Sequence, residues 1–384
     1  MTYAVITGGG TAGHVVPALA IAEALVDAGH APADVHYVGA QRGIETRLLA
    51  PTPYPHTFLD VRGLQRSLAP ADLRANVVMV PKLAAAVRRA GRLLDDLSPR
   101  VVVSVGGYAS LPAVFAARRR RVPVVVVSYD RTPGLASRVT ARFAAASAVA
   151  FPDSTLPRAT HTGAPVRRVL RELDRAAARV DARRRLDLPL ERFVVAVTGG
   201  SQGSGLLNGV IAAYAADHAG DTSLAIRQIV GERFLATAPP ARGGASGLVH
   251  QLVGYDDHLE DTYAAADVLV GRGGASTVAE VAVTGTPAVL VPWAGAAEDH
   301  QTRNVAWLAD AGAAVALAES ALDTLDAEVE RLRGDDDARA ELGRRAYAAG
   351  APARSGRLAA LIEDVAADHA SRRSGGASSS LLGS

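Results

Sequence analysis

The sequence predicts an α/β protein built from two doubly wound, Rossmann-like domains, and three observations carry the prediction. Short apolar runs of strand length alternate with helix-length segments. The alternation breaks at Gly163-Ala164-Pro165 and restarts at Phe193. A glycine turn follows the first strand of each half. A chain of 384 residues has room for two such domains, each with its own core.

The first expected strand, residues 3–7, ends in GGGTAGH, and residues 16–28 follow with helical apolar spacing through Leu19, Ala20, Ala24 and Leu25. Apolar runs at 35–38, 101–105, 122–127 and 148–151 read as further strands, with helix-length segments between most of them. That order makes a parallel sheet. Glycine and proline then interrupt the pattern ahead of an arginine-rich helix expected over 166–186. Strands resume at 193–198, 224–230, 267–270, 288–291 and 314–317. The domains therefore read as 1–163 and 164–350, followed by a helix over 351–370 and a disordered tail, SRRSGGASSSLLGS, over 371–384.

Composition removes whole classes of function. Hydrophobic residues make up 49% and charged residues 21%, which excludes a disordered or fibrous chain. Without cysteine there is no disulfide, thiolate nucleophile or cysteine-built zinc site. The ten histidines show no His-Glu-x-x-His spacing, so a histidine-built metal site is not expected. The longest uncharged stretch, 101–117, is broken by Gly106-Gly107 and Pro112 and does not read as a membrane span. The opening MTYAVITGGG lacks the pattern of a signal peptide, so a cytoplasmic location is expected. The net charge of +2 hides a division: residues 1–163 carry 18 Lys+Arg against 10 Asp+Glu, or +8, leaving 23 against 29, or −6. A basic first half expects an anionic partner, either a membrane surface or a phosphorylated substrate.

Four segments hold candidate chemistry. GGGTAGH contains Gly-x-Gly-x-x-Gly at Gly8, Gly10 and Gly13 between strand and helix, where free N–H groups and the helix dipole favour a diphosphate. The second strand ends Val38-Gly39-Ala40-Gln41, without the acidic residue that a nicotinamide dinucleotide needs for its ribose. His14, at the helix start, is a candidate general base whose charged form the dipole disfavours. The second glycine loop, TGGSQGS from Thr198, adds hydroxyl and amide groups to the same geometry. GRGGASTVAE places Glu280 about one helical turn past a third glycine-rich strand end, where a carboxylate can accept both hydroxyls of a ribose. PWAGAAEDHQTRN, after the strand 288–291, is dense in groups that suit sugar hydroxyls.

A basic amphipathic stretch places Val77, Val78, Val80, Leu83 and Val87 among Arg74, Lys82, Arg88, Arg89 and Arg92, with Arg118, Arg119, Arg120 and Arg121 following. It reads either as a surface for anionic lipid or as a helix facing its own core with a solvated basic side.

In their order and spacing these motifs resemble the MurG family of peptidoglycan N-acetylglucosaminyltransferases, in glycosyltransferase family 28. The matching pieces are GGGTAGHVVPALAIAEAL, VGGYAS, GAPVR, TGGSQGSGLLN, YAAADVLVGRGGASTVAE and EDHQTRN, and the resemblance runs from Val5 to about residue 365. It implies a GT-B fold with an acceptor half and a donor half facing across a cleft, the last helix packing back on the first domain. It implies inverting transfer of GlcNAc from UDP-GlcNAc, a substrate and not a cofactor, to undecaprenyl-diphosphate-MurNAc-pentapeptide, converting lipid I to lipid II. On the donor side it implies Glu280 at the ribose, Gly200, Ser201 and Gln202 at the diphosphate with Gly274, Ala275, Ser276 and Thr277, and Tyr255 and Asp256 near the uracil. Asp299, His300 and Gln301 would contact the GlcNAc, Arg167 would match the arginine of an Asn-Pro-Val-Arg segment, and Thr11, Ala12 and Gly13 would line the cleft. His14 would take the proton of the muramyl 4-hydroxyl, with Gly106, Gly107, Tyr108 and Asp130 on the acceptor side. It further implies a peripheral protein of the cytoplasmic membrane face, with cell-wall synthesis machinery and no nucleic acid among its partners.

The departures lie in the acceptor half. Val127-Ser128-Tyr129-Asp130 stands where the family has His-Glu-x-Asn, and Ser104 and Leu111 replace two glycines of VGxGGYxSGP. Two other readings share these residues: a UDP-sugar transferase with another lipid or natural-product acceptor, and a catalytically silent nucleotide-sugar-binding scaffold.

Overall fold

The computed structural model describes residues 2–41, 44–61, 70–200, 202–238, 241 and 246–379, and for residues 12, 70–80, 297 and 372–379 the backbone alone. The chain forms two compact units, Met1–Arg168 with Ser355–Ser384, and Val169–Arg354.

Unit 1 holds seven strands: β1 (Ala4–Thr7), β2 (Val35–Ala40), β3 (His56–Leu59), β4 (Val101–Ser104), β5 (Val124–Ser128), β6 (Ala146–Val149) and β7 (Ala159–His161). They lie in the order β3-β2-β1-β4-β5-β6-β7, every pair parallel. Unit 2 holds β8 (Phe193–Thr198), β9 (Leu224–Ile229), β10 (Val249–Val253), β11 (Val268–Arg272), β12 (Ala288–Val291) and β13 (Val315–Ala316). Their order is β10-β9-β8-β11-β12-β13, again all parallel. Helices cover both faces of a parallel sheet, so its inner strands are buried throughout and read as unbroken apolar runs, VVVS in β4 and VVVVS in β5. Three strands were not anticipated, β3, β7 and β10. All three are sheet edges and none is buried along its length, so none carries such a run.

The first helix, Ala12–Asp27, contains Pro17, which has no N–H to give to the Gly13 carbonyl one turn earlier. Tyr129, just past β5, supplies the missing donor: its hydroxyl lies 2.6 Å from that carbonyl oxygen. The helix therefore starts at the glycine loop, four residues ahead of the expected start.

The passage between units lies at Arg168/Val169, past the Gly163-Ala164-Pro165 break. Arg167 Nε and the Arg168 N–H both donate to Glu23 of the first helix, at 2.8 and 2.7 Å, and Arg168 pairs with Asp27, which ties this stretch to unit 1. The arginine-rich segment is two helices, Arg168–Arg171 and Arg175–Arg185, the second capped by Asp174, which accepts the Ala177 N–H at 3.1 Å. Arg175 and Arg183 then donate to the carbonyls of Tyr263, Ala265 and Ala266 at the end of the helix Leu259–Ala265, and Arg183 pairs with Asp267 at 2.8 Å.

The last helix, Arg357–Ser379, belongs to unit 1. Its Leu358, Ala359, Ile362 and Ala366 are buried, and Glu363 meets His30, whose ring stacks on Tyr3. It runs past Ala370, where the composition leads one to expect a disordered tail; residues 380–384 of that tail lie outside the described residues.

Candidate active site

In unit 1, β1 and β4 end level, Thr7 pairing with Ser104, and β5 runs two residues further, Ser104 pairing with Val126. The segments that follow them, Gly8 to His14, Gly106 to Tyr108 and Tyr129-Asp130, therefore meet beyond the carboxyl edge of the sheet, where open α/β sheets take ligands. The Tyr37 hydroxyl of β2 donates to the Gly8 carbonyl at 2.7 Å. Gly10, at φ 96°, donates its N–H to Glu45 Oε1 at 2.7 Å.

His14 Nδ1 lies 3.1 Å from Thr11 Oγ1. Its other ring edge faces Gly106 and Gly107, whose φ of 88° and 72° only glycine adopts freely. A Cβ on Gly107 would stand 3.4 Å from His14 Nε2 and 2.9 Å from the Gly9 carbonyl oxygen, so the bare backbone keeps Nε2 open. Tyr108 packs its ring edge on Gly10, and the Tyr129 ring meets His14 edge-on at 6.3 Å between centroids. Burial holds the imidazole below its ordinary pKa, while the Asp130 and then the Glu45 carboxylates act in the other direction. A neutral imidazole in this setting is chemically able to accept a hydroxyl proton. Thr11, Gly13, His14, Gly106, Gly107, Tyr108 and Asp130 are thus gathered at one place; of Ala12 only the backbone is described. Arg167 is not among them, being held on Glu23 in the body of the first helix.

In unit 2, Thr198 of β8 pairs with Ile229 and Gly271, and Arg272 of β11 with Val291, so the loops after β8, β11 and β12 share an edge. The loop after β8 needs its glycines. A Cβ on Gly199 would stand 2.5 Å from the Ser204 nitrogen, and one on Gly203 2.2 Å from the Val230 oxygen. Ser204 caps the helix Gly205–Asp217 through the Leu207 N–H and accepts two bonds from buried Arg272, at 3.0 and 2.7 Å. Arg272 also pairs with Glu319 at 2.6 Å, and Glu319 accepts the Ala294 N–H at 3.2 Å, so one guanidinium ties the β8 loop to the β12 loop. Gly200 and exposed Gln202 stand on this loop; Ser201 lies outside the described residues.

The helix Ala275–Thr284 begins after Gly274 with no side-chain cap, and the N–H groups of its first turn, at Ala275, Ser276 and Thr277, have no acceptor within the helix, a geometry suited to an anion. Glu280 follows on the same helix. Its Oε2 accepts the Tyr263 hydroxyl at 2.8 Å, and among the described residues no other hydrogen bond engages the carboxylate. Burial pushes its pKa up, opposed by the Tyr263 bond. After β12, Gln301 Oε1 accepts the Trp293 N–H at 2.9 Å, and Asp299, at φ 53°, accepts from the Thr302 hydroxyl at 2.6 Å; His300 opens the helix His300–Asp310 between them. Tyr255 and Asp256 follow β10 on the same edge. The Asp256 carboxylate is taken up within the protein, by Arg227 at 3.0 Å, Thr262 at 2.6 Å and the His258 N–H at 3.1 Å, so it shapes the turn.

Glu45 was missed in the sequence. It lies 35 residues from Gly10 in an ordinary polar stretch, QRGIETRLL, and no spacing there signals a loop contact. Among the described residues one group could ligate a metal, His218, Asp326 and Glu330. It stands at the far end of the helix that Ser204 caps, and Glu330 already accepts from Tyr214 and Arg333, so a cation there would face a guanidinium.

The family model for the glycosyltransferase family 28 N-terminal domain matches residues 4–149, and that for the C-terminal domain residues 194–356. A relative from Cutibacterium acnes, named UDP-N-acetylglucosamine–N-acetylmuramyl-(pentapeptide) pyrophosphoryl-undecaprenol N-acetylglucosamine transferase, is 37% identical over 345 residues, 88% of this chain and 90% of the relative. One of the same name from Acidothermus cellulolyticus is 38% identical over 373 residues, 95% of this chain and 98% of the relative. Among solved structures, MurG of Acinetobacter baumannii matches with a TM-score of 0.68 at 26% identity, covering 95% of this chain and 100% of that one.

Proposed function

The chain belongs to glycosyltransferase family 28, and from that premise we propose that it is the enzyme its relatives are named for, with the acceptor chemistry on unit 1 and the donor on unit 2. It transfers N-acetylglucosamine from UDP-GlcNAc to N-acetylmuramyl-(pentapeptide) pyrophosphoryl-undecaprenol, lipid I, in peptidoglycan synthesis. What carries this reading is that identity of 37% and 38% to enzymes of one activity extends across both units.

On unit 2 the open first turn of the helix Ala275–Thr284 and the loop after β8 receive the diphosphate, and Glu280 accepts the ribose hydroxyls on the oxygen that Tyr263 leaves available. The Gln301 loop meets the sugar. On unit 1 His14 Nε2 takes the proton of the muramyl 4-hydroxyl as its oxygen bonds to the anomeric carbon. The bond from that carbon to the UDP oxygen breaks, the configuration inverts to a β-1,4 linkage, and the helix N-termini receive the charge that develops on UDP. The lipid acceptor brings unit 1 to the cytoplasmic membrane face. Exposed Lys82, Arg88, Arg89, Arg92, Arg118 and Arg119 support this, since basic side chains are drawn to anionic lipid. No described helix is long and apolar enough to cross a membrane. Over residues 81–97 the apolar side of the basic helix faces its own core through Ala86, Val87, Ala90 and Leu94; Arg74, Val77, Val78 and Val80 lie outside the described side chains.

The test is incubation with labelled UDP-GlcNAc and a short-chain lipid I analogue, read by mass spectrometry. One N-acetylhexosamine added to the acceptor is expected. Release of free GlcNAc, or no product beside measurable donor binding, contradicts the reading.

A further inference from the structure

The first glycine loop has the form of an anion site, yet a carboxylate of the chain itself already lies in it. Glu45 has no exposed surface, its Oε1 accepts the Gly10 N–H at 2.7 Å, and a Cβ on Gly9 would stand 2.4 Å from that oxygen. Among the described residues the second carboxylate oxygen is buried without a hydrogen-bond partner. A buried charge with an unmet oxygen costs stability. Gly9, at φ 146°, leaves no room beside the carboxylate for a Cβ, and Gly10, at φ 96°, holds a backbone conformation that favours glycine. The same loop runs on into Thr11 and His14, and the Tyr37 hydroxyl holds its other end at Gly8.

We propose that Glu45 is a positioning residue of the transfer reaction: its carboxylate stands as an internal anion in the first glycine loop, fixing the backbone that carries Thr11 and His14. The Gly10 N–H is thereby withheld from any substrate phosphate. This rests on the reading of His14 as the base. Among the described residues the charged groups acting on His14 are Asp130 beyond β5 and Glu45 itself, with the Tyr129 ring edge-on to the imidazole; the two carboxylates favour the imidazolium that forms when the proton is taken.

The test compares the full chain with Glu45→Ala, Glu45→Gln and His14→Ala, with and without sodium formate, against sodium chloride at equal ionic strength. Glu45→Ala is expected to lower kcat on the order of 10- to 100-fold, the range of a lost charge-assisted hydrogen bond, with the UDP-GlcNAc KM within about twofold. Formate, a carboxylate small enough for the vacated space, restores part of that turnover in Glu45→Ala and none in His14→Ala. Hydrogen exchange of the peptide spanning the loop rises in Glu45→Ala and falls again with formate. Glu45→Gln keeps the shape and the acceptor for Gly10 but not the charge, so its kcat also falls and the NMR-titrated pKa of His14 moves down.

Wild-type turnover and wild-type His14 titration in Glu45→Gln would overturn the proposal, as would an unchanged loop exchange in Glu45→Ala with no response to formate. Should His14→Ala prove active, the base reading fails. The loop exchange and its formate response still decide the role of Glu45.

Discussion

His14 serves as a base only if Nε2 carries the lone pair, which requires its Nδ1–H to donate to Thr11 Oγ1, 3.1 Å away. Removing the ring should lower kcat by roughly 10²- to 10⁴-fold, the usual range for a general base, while the UDP-GlcNAc KM stays. A His14→Ala variant with near-normal turnover would exclude it from the reaction. Tyr129 has a structural part at the same turn. Pro17 cannot satisfy the Gly13 carbonyl, and the Tyr129 hydroxyl does. Tyr129→Phe should cost about 1 kcal/mol of stability, the usual worth of one hydrogen bond to a partly buried carbonyl, and lower kcat by loosening the turn that bears His14. Thermal melts beside initial rates check both. The places of His14, Glu280 and the glycine loops past the ends of strands were legible in the sequence because a strand-to-helix turn is marked by its glycines. Glu45 and Tyr129 were not, since each acts through a backbone group far along the chain.

Among the elements, inner strands announced themselves and edges did not. Residues 193–198 and 288–291 match β8 and β12 end for end, because burial on both faces demands uninterrupted apolar residues. β3 reads HTFL, with only Leu59 buried, and nothing in it exceeds ordinary loop composition. Its pairing with β2 encloses His36, 8% exposed, whose Nε2 lies 2.9 Å from Thr57 Oγ1. Burial first, and His56 second, depress the His36 pKa from 6.5 to about 4. The folded state refuses a proton that the unfolded chain binds, so stability is present above pH 6.5 and is lost as pH falls toward 4, by up to about 3 kcal/mol. Urea unfolding of His36→Gln across this window should show a flatter pH dependence than the wild type. Equal slopes would mean that the ring is protonated in the fold.

For the whole molecule, the restarted strand pattern anticipated two units, while the boundaries followed contacts that composition does not encode. Arg167 and Arg168 reach back to Glu23, and the helix Arg357–Ser379 returns to unit 1 to bury Ile362. Ile362→Ala should therefore cost about 2–5 kcal/mol of unit 1 stability and leave UDP-GlcNAc affinity unchanged below the melting range, as scanning calorimetry and donor titration would report. The division of labour between the units is tested most directly by calorimetric titration of UDP-GlcNAc into the wild type, His14→Ala and Glu280→Ala. Wild-type affinity is expected in His14→Ala, and affinity weakened about tenfold or more in Glu280→Ala, whose ribose bonds are lost. Unchanged affinity in Glu280→Ala together with a loss in His14→Ala would contradict it, placing the donor on unit 1.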